Sequence, residues 1–228
     1  LGLPEPTPIQ YDIADYIQNG PKRRCVMAFR GVGKSWITSA FVCHQLLLDP
    51  TKNILVVSAS KQRADDFSTF TLRLISEMEI LNHLKPNETQ RNSKIAFDVG
   101  PAPASHAPSV TSKGITSQIT GARADLIIAD DVESLNNSAT QMMRDKLGAA
   151  VQEFDAVLKP DGHVIYLGTP QSEQSLYNEL PDRGYDVKIW PARKPNEKQV
   201  VGYGSRLAPK IVAMDLEEGE PTDPKRFN

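Results

Sequence analysis

A glycine-rich turn between a buried strand and an amphipathic helix is the strongest constraint on the fold of this chain. An apolar run over residues 24–29 leads into the turn, and apolar residues at helical spacing follow it as far as Asp49-Pro50. Across the turn the chain reads Ala28-Phe29-Arg30-Gly31-Val32-Gly33-Lys34-Ser35. This is the spacing of a P-loop, or Walker A motif, with Ala28 in the place of the usual first glycine. The turn therefore predicts a strand, loop and helix unit that binds nucleotide phosphates.

Each residue type in this turn suits a phosphate ligand. Gly31 and Gly33 allow backbone N–H groups to close around phosphate oxygens, and the N-terminus of the following helix points its N–H groups the same way. Lys34 supplies a charge near the β- and γ-phosphates, and the Ser35 hydroxyl is a ligand for Mg²⁺. Arg30 is predicted to place a second cation at the γ-phosphate, with a solvated surface arginine as the alternative. The predicted nucleotide-binding residues of the turn are Arg30, Gly31, Val32, Gly33, Lys34 and Ser35, of which Lys34 and Arg30 are also predicted to be catalytic.

A second apolar run ends in carboxylates. Residues 126–133 read Leu-Ile-Ile-Ala-Asp-Asp-Val-Glu, the form of a Walker B motif at the carboxyl end of a strand, where open α/β sheets bind ligands. Asp130 is predicted to bind Mg²⁺, and the next carboxylate to orient the attacking water. Asp131 holds the usual position of that base, but Glu133 has the longer reach, and strand alternation would turn both to one side. An acidic turn after a buried strand is the simpler alternative.

Two weaker motifs could complete a nucleotide site. An apolar run over residues 163–167 ends in Gly168-Thr169-Pro170, where the Thr169 hydroxyl is predicted to sense the γ-phosphate; a simple turn explains it equally well. Near the start of the chain, the amide of Gln10 can both donate to and accept from the edge of adenine. Replacing Gln10 should then reduce the discrimination of ATP from GTP, whereas a Gln10 that is only part of a turn would leave it unchanged.

Apolar runs alternate with helical stretches along most of the chain. Strand-like runs cover residues 24–29, 53–58, 94–99, 125–129 and 163–167, and helical stretches cover about residues 37–48, 61–81 and 139–158. This alternation predicts an α/β fold with a mainly parallel sheet flanked by helices. Residues 100–121, rich in Pro, Ser and Thr, are predicted to form a long functional loop. Residues 1–180 are assigned to the main domain, and 181–228 to a small C-terminal subdomain and linker.

Composition limits the function classes. With 26 basic and 28 acidic residues the net charge is -2, so nucleic-acid contact requires a local basic patch. Cys25 and Cys43 lack the spacing of disulfide frameworks or zinc sites and are predicted to be buried thiols. No apolar run approaches the roughly 20 residues needed to cross a bilayer, which predicts a soluble, intracellular protein with no membrane partner. Because the first residue is not methionine, the chain is predicted to be a piece of a longer protein.

These motifs, in this order, resemble the ATPase of the large terminase subunits of tailed bacteriophages, over essentially the whole chain. The likeness to the short-tailed phage branch is carried by residues 28–35, by Ile-Ile-Ala-Asp-Asp-Val-Glu at 127–133 and by Tyr-Leu-Gly-Thr-Pro-Gln at 166–171. It implies a P-loop NTPase with a RecA-like (ASCE-type) sheet that uses ATP and Mg²⁺. One departure is that many terminases carry Asp-Glu where this chain has Asp130-Asp131, which leaves the catalytic carboxylate open between Asp131 and Glu133.

The resemblance also implies roles and partners. Gln10 would belong to the adenine motif, Arg30 to the Walker A loop, and Gly168-Thr169 to a coupling motif that links hydrolysis to DNA movement. Arg123 resembles an arginine that approaches the nucleotide of a neighbouring subunit, and the alternative is a surface arginine paired with Asp125. The implied partners are double-stranded DNA, the portal protein of a procapsid, a small terminase subunit and further copies in a ring. The implied location is the host cytoplasm, and a C-terminal endonuclease domain would follow residue 228.

Two other function classes fit parts of the pattern. The first motor domain of a helicase shares Thr7-Pro8-Ile9-Gln10 and the strand order, but it would continue into a second motor domain rather than a nuclease. A non-hydrolysing nucleotide-binding assembly protein is the third hypothesis. The retained acids Asp130, Asp131 and Glu133 argue against it.

Overall fold

A seven-stranded sheet forms the centre of the chain in a computed structural model that describes residues 2–170 and 174–226. The strands are Arg23–Ala28 (β1), Ile54–Ser58 (β2), Ala96–Phe97 (β3), Val110–Gly114 (β4), Ala124–Asp130 (β5), Leu158–Gly168 (β6) and Asp186–Trp190 (β7). The α-helices are Pro8–Asn19 (α1), Lys34–Leu48 (α2), Lys61–Glu77 (α3), Leu135–Ser138 (α4), Gln141–Val157 (α5), Leu176–Glu179 (α6), Glu197–Tyr203 (α7) and Pro209–Val212 (α8). Short 3-10 helices cover Glu79–Leu84, Pro181–Arg183 and Gly204–Arg206.

The strand order places the predicted motifs at one edge of the sheet. The order is β3-β4-β2-β5-β6-β1-β7, and every pair is parallel except β3 with β4. A strand, β6, therefore lies between the P-loop strand β1 and the acidic strand β5, which is the arrangement that defines the ASCE type. The predicted α/β, P-loop fold class is confirmed. Since parallel strands end at the same edge, β1, β5 and β6 bring their three motifs together there.

Helices cover both faces of the sheet, so its central strands are apolar throughout. All five residues of β2 are buried, as expected for a parallel strand covered on both sides. One core packs α1, α2 and α3 against the sheet through Ile13, Val42 and Phe67, among others. The second core packs α5 against the opposite face through Val151 and Phe154. The two cysteines are free and buried, as predicted.

The structure corrects several sequence predictions. The segment 100–121 is not one long loop, because β4 lies within it and pairs with β2 in the interior of the sheet. The run over residues 94–99 forms only the two-residue strand β3. The helix predicted over residues 61–81 ends at Glu77 and continues as a 3-10 helix from Glu79. Helix α1 was not predicted.

The C-terminal residues pack on the main sheet. β7 follows residue 180 and pairs with β1, and Leu207, Ala208 and Ile211 belong to the same core as α1 and α2. The boundary proposed at residue 180 stays a prediction. Within residues 2–170 and 174–226, none of the helices has the length and apolar character required to span a bilayer.

Candidate nucleotide site

The turn between β1 and α2 has the backbone of a phosphate-binding loop. Gly31 and Gly33 have φ of 89° and 87°, the left-handed region that favours glycine. A Cβ atom on Gly33 would also lie 3.0 Å from Nε2 of Gln10. Gly33 is the N-cap of α2, so the first N–H groups of that helix open into the turn. The loop therefore offers backbone donors to an anion in front of α2.

Lys34 lies inside this loop rather than in solvent. Its side chain is buried, and Nζ donates to the carbonyl oxygens of Ala28 at 2.8 Å and Phe29 at 3.3 Å and to Oγ1 of Thr169 at 3.2 Å. Burial lowers the pKa of Lys34, and the carboxylates of Asp131 and Asp130 oppose that shift. The ammonium is thus held over the loop by neutral acceptors that a phosphate oxygen can replace.

Ser35 and Asp130 converge as a pair of oxygen ligands. The Ser35 hydroxyl is 2.9 Å from Oδ2 and 3.1 Å from Oδ1 of Asp130. Burial, and then the charge of Asp131, raise the pKa of Asp130 to about 6. A bound divalent cation would offset the cost of burying this carboxylate, and hydroxyl and carboxylate oxygens are ligands that Mg²⁺ prefers. These residues therefore fit the predicted magnesium site.

The two candidate bases lie in different surroundings. β5 ends at Asp130, and Asp131 adopts a φ of 45° while its N–H donates to the Leu167 carbonyl at 2.8 Å. The expected strand alternation from Asp131 to Glu133 therefore does not hold. Asp131 lines the cleft in front of the loop. Glu133 is buried, and its Oε2 accepts from the Ser175 hydroxyl at 2.9 Å and the Leu176 N–H at 2.7 Å.

The cleft gathers most of the predicted residues. It has a volume of about 670 Å³ and combines the Walker A loop, the start of α2, the end of β5 and the first three turns of α3. Its lining residues are Arg30, Gly31, Gly33, Lys34, Ser35, Trp36, Ser39, Arg63, Asp66, Phe67, Phe70, Asp130 and Asp131. Sequence reasoning missed the α3 residues, and Trp36 and Ser39 of α2. The signal available for α3 was that it follows directly on β2, whose carboxyl end adjoins that of β5.

The segment after β6 is tied to both Walker motifs. Thr169 Oγ1 donates to the Ala28 carbonyl at 2.9 Å, besides accepting from Lys34. A Cβ atom on Gly168 would overlap the ring of Tyr177, whose hydroxyl accepts from the Glu133 N–H at 3.4 Å. The contacts thus connect the Walker A lysine to the acidic end of β5. Gln171, the last residue of the segment 166–171 that carries the family resemblance, lies outside the described residues.

Gln10 supports the phosphate loop, which its sequence context did not predict. In α1 its Oε1 accepts from the Thr7 N–H at 2.9 Å, and its Nε2 donates to the Val32 carbonyl at 2.7 Å. Nη2 of Arg226 lies 3.4 Å from the same Oε1. An adenine edge has to compete with these partners for the amide, because only one N–H of Nε2 is left over.

Gln10→Ala is expected to weaken the binding of ATP and GTP together, by roughly fivefold. The reason is the lost hydrogen bond to Val32, since a hydrogen bond contributes about 1 kcal/mol and tenfold is about 1.4 kcal/mol. Equilibrium titration with both nucleotides measures the effect. Gln18→Ala is the matched control, since Gln18 is an exposed residue of α1. A selective loss of ATP affinity would instead establish the predicted adenine contact.

Arg123 stands apart from the rest of the site. It is exposed at the amino end of β5, and its Nη1 donates to the Ala156 carbonyl at 2.9 Å. The alternative pairing with Asp125 is wrong: within the described part of the chain the two form no ion pair, and Asp125 is paired with Lys159 at 2.8 Å. At about 3.3 Å per residue, β5 separates Arg123 from Asp130 by about 20 Å. Arg123 therefore lies far from the cleft of its own chain.

Comparisons with known proteins show the family of the chain. The family described as "Terminase large subunit, T4likevirus-type, N-terminal" matches residues 25–149. The terminase large subunit of Enterobacteria phage T3 is 52% identical over 238 residues, and the match covers 100% of this chain but 41% of that relative. Among solved structures, the large terminase ATPase domain of Thermus phage P74-26 has 17% identity and a TM-score of 0.49, covering 76% of this chain and 68% of that one. The N-terminal domain of the DNA packaging ATPase of bacteriophage phi29 has 14% identity and a TM-score of 0.48, covering 77% and 90%. On the family match and the T3 relative, the chain belongs to the family of terminase large subunits.

Proposed function

We propose that this chain hydrolyses ATP to drive double-stranded viral DNA into a procapsid, as the ATPase part of a terminase large subunit. The observation that carries the proposal is the convergence of Lys34, Ser35, Asp130 and Asp131 in one cleft. A basic loop opposite two carboxylates is the arrangement that phosphoryl transfer requires. The chain spans 41% of the length of its T3 relative, so DNA as the load is inferred from the family.

The residues of the cleft divide the work. The loop N–H groups and Lys34 hold the β- and γ-phosphates, and Arg30 adds a cation at the mouth of the loop. Ser35 and Asp130 would hold Mg²⁺, which supplies charge neutralisation at the phosphate oxygens. Asp131 accepts the hydrogen bond of the attacking water and orients it in line. Thr169, bonded to Lys34, responds when the lysine changes partner.

Glu133 acts at a distance from the reacting atoms. One oxygen of its carboxylate, Oε2, already accepts from the Ser175 hydroxyl and the Leu176 N–H, and the other, Oε1, is buried. Because these bonds fix the chain that returns from β6, we assign Glu133 to positioning Gly168 and Thr169. The role of base falls to Asp131.

Asp131→Asn should lose ATP turnover by about 10²-fold or more while it still binds ATP, since general-base catalysis contributes about 10²–10⁴-fold. Glu133→Gln should retain turnover within about tenfold, because both hydrogen bonds end on one carboxylate oxygen and an amide oxygen in its place can accept both. Phosphate release and ATP titration measure both variants, with Asp66→Asn as a carboxylate control in the same cleft. Equal losses of turnover in Asp131→Asn and Glu133→Gln would contradict the assignment and make the pair a unit.

The partners follow from the same proposal. The assembled motor is a homo-oligomeric ring that docks on the portal protein of a procapsid in the host cytoplasm and receives DNA with a small terminase subunit. The remainder of the longer protein carries an endonuclease. Family membership argues against the helicase hypothesis. Magnesium-dependent phosphate release by an oligomerised sample tests the proposal, and an absence of turnover there would favour the non-hydrolysing assembly protein.

A further inference from the structure

We propose that Arg63 of α3 contacts the terminal phosphate of the nucleotide and is a further catalytic residue of the proposed ATPase. This inference rests on the proposed function and adds a residue to it. Walker motifs do not include this position.

The fold places Arg63 at the reaction end of the sheet. Ser58, the last residue of β2, lies in register with Asp130 of the adjacent β5, and α3 begins three residues later at Lys61. The N–H of Arg63 donates to the Ser60 hydroxyl at 3.3 Å, which fixes the first turn of the helix. Arg63 thus lines the same cleft as Lys34 and Asp130.

The guanidinium of Arg63 differs in its contacts from the other cations of α3. Among the residues that the structure describes, no ion pair involves Arg63, whereas the other two cations of α3 are both paired: Lys61 with Asp65 at 2.5 Å and Arg73 with Glu77 at 2.5 Å. Arg63 lines the cleft together with Asp130 and Asp131, the two carboxylates at the end of β5.

The balance of charge in the cleft depends on Arg63. Three cations, Arg30, Lys34 and Arg63, face the carboxylates of Asp66, Asp130 and Asp131. Without Arg63 the carboxylates would be in excess before an anionic triphosphate entered. A planar guanidinium also suits two phosphate oxygens at once, and it supplies charge where the transferring phosphoryl group needs it.

The test compares Arg63→Ala, Arg63→Lys and the control Arg73→Ala, which removes an exposed arginine from the same helix. We expect Arg63→Ala to lower kcat for magnesium-ATP by at least about tenfold, because the loss of one donor that stabilises the transition state costs at least that much. Its Kd for a non-hydrolysable ATP analogue should rise about as much while its Kd for ADP stays unchanged. Arg63→Lys should recover part of both losses, and Arg73→Ala should match the parent.

Three results would overturn the inference. They are an Arg63→Ala variant that equals Arg73→Ala, an equal loss of affinity for ADP and the ATP analogue, and unchanged nucleotide binding and turnover with weaker retention of double-stranded DNA. Lys34→Ala, measured alongside, distinguishes a failure of the proposed ATPase function from a failure of the role of Arg63. If Lys34→Ala retains turnover, the proposed ATPase fails; if it loses turnover while Arg63→Ala does not, only the role of Arg63 fails.

Discussion

Lys34→Ala is expected to abolish measurable ATP hydrolysis, a loss of about 10³-fold or more in turnover. The lysine is the cation held inside the Walker A loop, where its Nζ already contacts the carbonyl oxygens of Ala28 and Phe29. Alanine leaves the transferring phosphoryl group without that charge in a site with limited solvent, where one stabilising group contributes about 10²–10³-fold. Each tenfold of this loss corresponds to about 1.36 kcal/mol in the barrier.

Phosphate release under saturating magnesium-ATP measures the loss, and an ATP titration separates binding from chemistry. Lys146→Ala is the matched control, because Lys146 is an exposed lysine of α5 outside the cleft. Thermal unfolding of both variants shows whether Lys34→Ala is still folded. Turnover of Lys34→Ala within tenfold of the parent would show that residues 28–35 are not a Walker A loop.

The phosphate loop could be predicted because its requirements are local. Gly31 and Gly33 adopt φ near 89° and 87°, which few other residues tolerate. The apolar runs that form the strand and the helix directly precede and follow them in the sequence. The alternation of apolar and helical runs predicted a mainly parallel sheet, although not the spatial order of its strands. The orientation of parallel strands then placed Asp130 opposite Ser35 without further information.

Elements stabilised by distant partners escaped prediction. β4 has one large apolar residue, Val110, and its buried Ser112 is satisfied by Asp65, 47 residues away in the chain. Helix α1 carried a readable signal, since Thr7 and Gln10 form a capping box with Pro8 in the first turn. That signal was instead taken as evidence of an adenine contact.

The side-chain partners of Gln10 and Arg63 show the same limit. The amide of Gln10 bonds to Val32 and to Arg226, which is 216 residues away. The sequence alone shows neither partner. Arg63 occupies an ordinary helical position, and only the register of β2 with β5 brings it to the cleft. Residue type and spacing therefore identified the chemistry of the site but not all of its members.

Arg123→Ala is expected to lower the turnover of assembled subunits by about 10³-fold or more, while changing monomers little. An arginine supplied to a neighbouring active site contributes about 10³–10⁵-fold to nucleotide hydrolysis. Arg123 is exposed, is bonded to the Ala156 carbonyl through Nη1, and lies about 20 Å from Asp130 of its own chain at about 3.3 Å per residue. This distance favours a neighbour's cleft over its own, which predicts that turnover per subunit rises with protein concentration.

Mixing two inactive variants tests whether Arg123 acts in trans. In a mixture of Arg123→Ala with Lys34→Ala, each Lys34→Ala subunit can offer an intact Arg123 to a neighbour whose Walker A loop is intact, so part of the activity should return. Mixing Arg123→Ala with the double variant Lys34→Ala/Arg123→Ala is the control, because no subunit in that mixture carries the arginine. Rescue in the first mixture but not in the second requires that the arginine and the lysine act in one site formed by two chains. Turnover that is independent of concentration and unchanged by Arg123→Ala would instead leave Arg123 as a surface residue that anchors β5 to the end of α5.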